Sequence, residues 1–293
     1  MNTAASESGF APALRGHSTA LRSGISRGLV ELRQAFTGGT LIGQIFWPTA
    51  TLVAVFFLRH KTVPGGTSLD AFILPSVLGM YVALGMMLEV QYLAAEREDG
   101  TLLRARIIPG GITGYYAGKI VTVSATVLFY LALLLIPGVF LVHGLRLGSA
   151  SCWLILAWVI PLGFVATQSI GAMLGSLIEG ARGAGYISVP IVGLISISGI
   201  FYPITAMPGW LQAVAQLFPV YWLGLGVRSA MLPPSAMAAE LHDSWRHLET
   251  AAVLGAWAII GMICTPIVLR RMARRESGSS VAARRDRNLQ RIA

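Results

Sequence analysis

Six long apolar stretches, separated by short charged bands, dominate the pattern of hydrophobic and polar positions along this chain. The shortest have about 19 residues, and a helix of that length reaches about 29 Å, enough for the hydrocarbon core of a bilayer. The stretches are continuous, whereas membrane β-strands would alternate over about ten residues. The pattern predicts an all-α polytopic membrane protein with six transmembrane helices at 40–58, 71–93, 120–142, 152–178, 184–202 and 250–269.

The segment before the first span is amphipathic. Its apolar residues recur at spacings of three and four, which is one face of a helix: Leu21, Ile25, Leu29, Leu32 and Phe36. With arginines on its other faces, residues 19–39 are expected to form a helix in the membrane interface, with packing on a soluble partner as the alternative. Residues 1–18 are expected to be disordered. The basic tail, 270–293, is expected to lie beside anionic lipid headgroups.

Charge placement predicts the orientation in the membrane. The chain is 55% hydrophobic and 12% charged, with a net charge of +9. Its basic residues flank the spans, which argues against nucleic-acid binding. With both termini in the cytoplasm, 17 of the 22 Lys and Arg residues fall on the cytoplasmic side. This split predicts a multi-pass plasma-membrane protein with both termini inside, in contact with membrane lipids.

The sequence offers little catalytic chemistry. It has no HExxH motif, no GxSxG turn and no phosphate loop, and its two cysteines lie in or beside apolar stretches. We therefore expect no catalytic residue, no metal and no cofactor bound by this chain. Glu89 is the one ionisable residue inside a predicted span, and it is expected to reach the interface by snorkelling. An ion-coupled carrier would thus have little to work with.

Small residues mark the fourth and fifth spans, where they allow close helix approach. They are candidates for a subunit interface or a substrate pathway, with packing inside the chain as the alternative: Gly171, Gly175, Gly193, Ser196 and Ser198.

A charged band interrupts the apolar pattern between the second and third spans, within residues 94–112. We interpret it as an acidic helix start, favourable to the helix dipole, that a soluble partner could bind. The candidate contact residues are Glu96, Arg97, Glu98, Asp99, Gly100, Thr101, Leu102 and Arg104.

The outer segment 203–222 is apolar but too broken by proline to cross the membrane. It predicts a re-entrant hairpin between the fifth and sixth spans that covers a pathway, with an interfacial loop as the alternative. The candidate gate residues are Phe201, Tyr202, Pro203, Pro208, Gly209 and Trp210.

The amphipathic helix 19–39, the charged band within 94–112 and the outer segment 203–222 follow one another in a six-span chain. In this order they resemble the parts of the ABC-2 type permeases of ABC exporters, including the daunorubicin-resistance and multidrug branch. The resemblance implies a homodimer or a pair with a sister permease. It also implies two cytoplasmic ATPase subunits that bind ATP and Mg, with residues 96–106 seated in an ATPase cleft.

The charge-poor spans suit a hydrophobic or amphipathic substrate, such as a drug-like compound, lipid or glycolipid. A polysaccharide, or a membrane enzyme or assembly factor without ATPase coupling, remains as an alternative. The outer segment 223–249 has no counterpart in this comparison.

Overall fold

A computed structural model describes residues 10–58, 69–107, 111–178 and 180–275. This part of the chain is helical and contains no strand. Its α-helices are α1 Phe10–Ala35, α2 Thr40–Leu58, α3 Leu69–Glu98, α4 Thr101–Ile107, α5 Gly111–Leu141, α6 Ala150–Ser176, α7 Gly180–Ser196, α8 Gly209–Leu217, α9 Pro219–Met231 and α10 His247–Arg275. Short 3-10 helices occupy Ile204–Ala206, Pro234–Ala239 and Leu241–Asp243. Helix α1 begins at Phe10, so the disorder predicted for residues 10–18 is wrong; the basic tail lies outside the described residues from 276 onward.

Within the described ranges, four helices are long and apolar enough to cross a membrane, at Ala71–Glu98, Gly111–Leu141, Ala150–Ser176 and His247–Arg274. A fifth crossing is possible if α8 and α9, which meet at an angle of 89°, together form one broken span. The predicted first and fifth spans correspond to shorter apolar helices, Leu41–Phe57 and Gly183–Ser196.

The fifth predicted span ends six residues earlier than expected. Helix α7 stops at Ser196, and the chain turns through Gly199, whose φ is +72°. A left-handed backbone at this position favours glycine and cannot continue the helix. The expectation of a span as far as residue 202 is therefore wrong.

Helix α3 lies at the centre of the bundle, where it packs against α5, α6, α7 and α9. Every residue of α9 is buried. Pro219 stands at the start of α9, a position that proline favours. Gly79 of α3 and Gly224 of α9 allow a close crossing, since a Cβ on Gly79 would lie 3.1 Å from the Cα of Gly224. The outer segment 223–249 thus begins with a core helix, which its polar composition did not reveal.

Candidate functional site around Lys119

Helix α1 packs on α5 through glycines. A Cβ added to Gly24 would lie 2.0 Å from the carbonyl oxygen of Gly114, and a Cβ on Gly118 would lie 2.3 Å from that of Gly24. Thr122 also donates a hydrogen bond of 3.1 Å to the carbonyl oxygen of Gly28. The two backbones therefore touch, and Gly24 and Gly28 make this contact possible. By helix propensity alone, the same glycines only weaken α1.

The apolar stripe of α1 is open at Ile25 and Leu29 but packed further on, where the Phe36 ring centroid lies 4.6 Å from that of Phe129 of α5. Ile25 is 42% exposed and Leu29 is 54% exposed, whereas Gly24 and Gly28 are buried. Part of the apolar face of α1 is therefore uncovered, and its position in the membrane interface stays a prediction.

Lys119 on α5 joins three helices. Its Nζ atom lies 2.7 Å from Glu31 Oε2 of α1 and 2.6 Å from Glu96 Oε1 of α3. The Lys119 side chain is 2% exposed. We call Lys119, Glu31 and Glu96 the Lys119 node. In the sequence, Lys119 is one of the basic residues that flank the predicted spans, and nothing local points to its partners.

Neighbouring groups hold the two carboxylates of the node. Arg27 Nε lies 3.0 Å from Glu31 Oε1, and the Tyr115 hydroxyl donates to Glu96 Oε2. Burial alone would raise the pKa of the Glu31 carboxyl, but hydrogen bonds and charge from Lys119 and Arg27 outweigh it and lower that pKa. Glu31 is therefore ionised at neutral pH and keeps its ion pair.

Glu89 lies deep in the bundle. It is 1% exposed, and its Oε2 atom has no hydrogen-bond partner in the described part of the chain. Helix α3 continues beyond it to Glu98, and a Cβ on Gly171 of α6 would lie 3.0 Å from Glu89 Cβ. The expectation that Glu89 snorkels to the interface is wrong, since α6 covers it and its helix does not end nearby.

The charged band divides between two helices. Glu96, Arg97 and Glu98 belong to the last turn of α3, and α4 begins at Thr101. Gly100 separates them with a φ of +70°, the left-handed conformation typical just past a helix end. The acidic residues therefore end a helix, and the first turn of α4 has no acidic residue. The interpretation of an acidic helix start is wrong.

Helix α4 has a buried face and an open face. Thr101, Leu102 and Ala105 are buried, and the two apolar residues belong to a cluster with the ends of α3, α5 and α10. Arg104 is exposed, its Nη2 donating a 3.1 Å hydrogen bond to Thr101 Oγ1, and Ile107 is 83% exposed. Together with the exposed Asp99, Arg104 and Ile107 form what we call the α4 face.

Arg97 connects this region to α6. It is 6% exposed and donates a hydrogen bond to the carbonyl oxygen of Ile178, just after α6. The end of α3 is thus fixed both to α5, through the Lys119 node, and to the connection between α6 and α7.

The remaining predicted residues lie elsewhere. Gly171 and Gly175 pack against α3, so the structure places them in packing within the chain. Gly193 is open, Ser196 is half-buried and Ser198 is buried. The predicted gate residues lie in the chain between the end of α7 and the first turn of α8. Of these, Phe201, Tyr202, Pro208, Gly209 and Trp210 are exposed, and Pro203 is half-buried.

No group of three or more His, Cys, Asp or Glu side chains suited to a metal ion occurs among the described residues. The arrangement around Lys119 offers a different property. The Lys119 node is a buried charged connection between α1, α3 and α5, and the short helix α4, with its exposed face, follows directly after α3.

Comparisons with known proteins agree with this architecture. The family model described as "ABC-2 type transporter" matches residues 13–232. The chain is 24% identical over 189 residues to the "Probable multidrug ABC transporter permease YbhR" of Escherichia coli K12 and to the protein of the same name from E. coli O157:H7. Each match covers 64% of this chain and 50% of the relative, so the chain spans about half the length of the curated relatives it matches. With its apolar helices, this chain is a multi-pass membrane protein that belongs to the ABC-2 type transporter family.

Proposed function

We propose that the chain is the permease subunit of an ATP-driven ABC exporter. It moves a hydrophobic or amphipathic substrate, such as a drug-like compound, lipid or glycolipid, outward across the plasma membrane. A separate ATPase subunit supplies the energy. The α4 face carries this proposal, because it is exposed while the rest of α4 is anchored in the bundle. The name of the E. coli relatives, a probable multidrug permease, agrees with it.

In this proposal the ATPase binds the α4 face through Asp99, Arg104 and Ile107. The buried Leu102 and Ala105 then pass the movement of α4 to the ends of α3, α5 and α10. The Lys119 node carries it further to α1. A partner shifts a two-state equilibrium only through contacts that differ between the states. Because α4 packs against the ends of α3, α5 and α10, a change in its contacts with the ATPase would move these helices together.

The proposed complex uses the orientation that the basic residues predict, with both termini inside. The Lys119 end and both termini face the cytoplasm, where two ATPase subunits bind ATP and Mg. A second copy of the chain, or a sister permease, completes the pathway, beside which the open Gly193 and the half-buried Ser196 lie. At the opposite end, the segment 203–222 forms a re-entrant hairpin that covers the pathway, and its exposed Trp210 lies in the outer leaflet.

A polysaccharide is the alternative substrate. The rings of Tyr186, Phe201 and Tyr202 are 79%, 51% and 41% exposed, and exposed aromatic faces suit sugar stacking. Export of a labelled amphipathic dye and of a labelled glycan from the same vesicles would separate the two substrate classes.

The test is a double variant on the α4 face, Asp99→Arg with Ile107→Asp, reconstituted with the partner ATPase. We expect export and permease-stimulated ATP hydrolysis to fall at least about tenfold, equal to about 1.4 kcal/mol of lost coupling. Glu249→Lys is the matched control, because it reverses an exposed charge at the start of α10, far along the chain from α4. Undiminished export by the double variant would refute the proposal.

A second candidate is an ion-coupled carrier, favoured by the buried Glu89 carboxyl oxygen, which has no hydrogen-bond partner among the described residues. The variant Glu89→Gln removes its charge and keeps its shape. Loss of transport in this variant, together with the absence of any co-purifying ATPase, would favour the carrier over the exporter. Absence of both the ATPase and transport would leave a membrane enzyme or assembly factor.

A further inference from the structure

A second buried ion pair lies at the other end of α3, around Arg228 of α9. Arg228 is fully buried, and its Nε atom lies 2.6 Å from Oε1 of Glu240. Both side chains are 1% exposed. Glu240 stands just after the 3-10 helix Pro234–Ala239. In the predicted topology Arg228 is one of the five basic residues on the outer side, and the pair has no role in the proposed coupling.

Arg228 also reaches two other elements. Its Nη1 atom lies 3.3 Å from Ser76 Oγ of α3 and 3.3 Å from the carbonyl oxygen of Gly199. Gly199 belongs to the outer turn, which we define as residues 197–203. The glycine at position 224, one helical turn before Arg228, leaves room for the guanidinium, since a Cβ there would lie 3.2 Å from Nη1. One side chain therefore joins α3, the outer turn and the segment after α9.

The position of the pair matters more than its contribution to stability. A buried ion pair stabilises a fold little compared with apolar residues of the same size, whereas removing one partner leaves an uncompensated buried charge. The three groups that Arg228 contacts come from separate elements, so its planar guanidinium fixes their relative positions. Beside this contact, Ser198 is 1% exposed, whereas Phe201 is 51% exposed. The outer turn thus passes from the interior to the surface next to Arg228.

We propose that Arg228 is a positioning residue for the outer gate. With Glu240 and Ser76, it holds the outer turn closed against α3, and these contacts open when the turn moves outward during export. The role as a gate rests on the proposed exporter function, whereas the closed position of the turn can be measured without any transport.

The test measures how often the outer turn opens. The full chain carries Cys152→Ala, Cys264→Ala and Ser198→Cys, and it is embedded in lipid nanodiscs without ATPase or nucleotide. A membrane-impermeant maleimide then reports the access of water to position 198. We expect Glu240→Gln to accelerate labelling at least about tenfold, because the weakened pair no longer holds Gly199. Glu249→Gln makes the same chemical change on an exposed carboxylate and is expected to leave the rate unchanged.

Two further variants keep the proposal testable if Glu240→Gln does not fold. Ser76→Ala removes only the hydrogen bond from α3 and is expected to accelerate labelling about threefold. Arg228→Lys keeps the positive charge but loses the planar guanidinium with its several N–H donors. Its labelling rate is expected to lie between those of the chain without this change and of Glu240→Gln. The thermal unfolding midpoint is recorded for each variant. Unchanged labelling in folded variants would refute the positioning role, as would labelling that rises only when the midpoint falls. A failure of export would instead bear on the proposed function.

Discussion

Lys119 neutralises carboxylates from two other helices with one buried ammonium group. Lys119→Met leaves Glu31 and Glu96 in place without their cation, and breaking a buried pair costs about 3–5 kcal/mol. We expect the variant to unfold at a clearly lower denaturant concentration in detergent micelles.

The control for this prediction removes the two carboxylates together with the lysine, so that the node is neutral again. In the triple variant Lys119→Met, Glu31→Gln, Glu96→Gln, neither position 31 nor position 96 keeps a charge without its cation, so most of the lost stability should return. If the triple variant were as unstable as the single one, the node would act through shape and not through charge.

The sequence identified some of these residues and missed others for a physical reason. Glu96 and Arg97 stood out because charges are rare in this chain and form a visible band. Lys119 and Arg228 also looked like charges that set topology, because their partners lie in distant or unassigned parts of the chain. Hydropathy reports the cost of placing a charge in lipid, but it carries no information on which distant group neutralises that charge.

Among the elements, the contact between α1 and α5 depends on the absence of side chains. In Gly24→Ala, the new methyl group would lie 2.0 Å from a carbonyl oxygen of α5, so the backbones must separate. We expect a loss of stability and a longer distance between spin labels on the two helices. Gly43→Ala in α2 is the matched control, because a Cβ at that position meets nothing within 4 Å. Its expected effect is neutral or a gain of up to about 1 kcal/mol from helix propensity.

The sequence predicted elements best where apolar length alone decides them. The predicted first span, 40–58, coincides with the bounds of α2, and each later span overlaps a long or short apolar helix. The predicted ends of the helices were less accurate. Gly100 and Gly199 have a left-handed backbone and divide stretches that look continuous in the sequence. Helix α9 was missed because the apolar residues it buries are mixed with glycine and arginine, and its burial depends on the surrounding helices.

For the whole molecule, the proposed orientation places the α4 face and the outer turn on opposite sides of the membrane. In a background without the native cysteines, Asp99→Cys should react with an impermeant maleimide only in inside-out vesicles. His143→Cys, which lies after α5, should react only in right-side-out vesicles. Both positions are exposed, so the result depends on sidedness and not on burial. Labelling of both positions from the same side would contradict the proposed topology.

The Lys119 node also determines when α1 can pack on α5 while the chain is being synthesised. Lys119 follows Glu31 by 88 residues and Glu96 by 23 residues along the chain. At about 5–20 residues per second, Glu31 leaves the ribosome roughly 4–18 s before its cation does. Until then its carboxylate stays hydrated, and the glycine face of α1 has no helix to meet. Although α1 is made first, it reaches its final position only after α5 has entered the membrane.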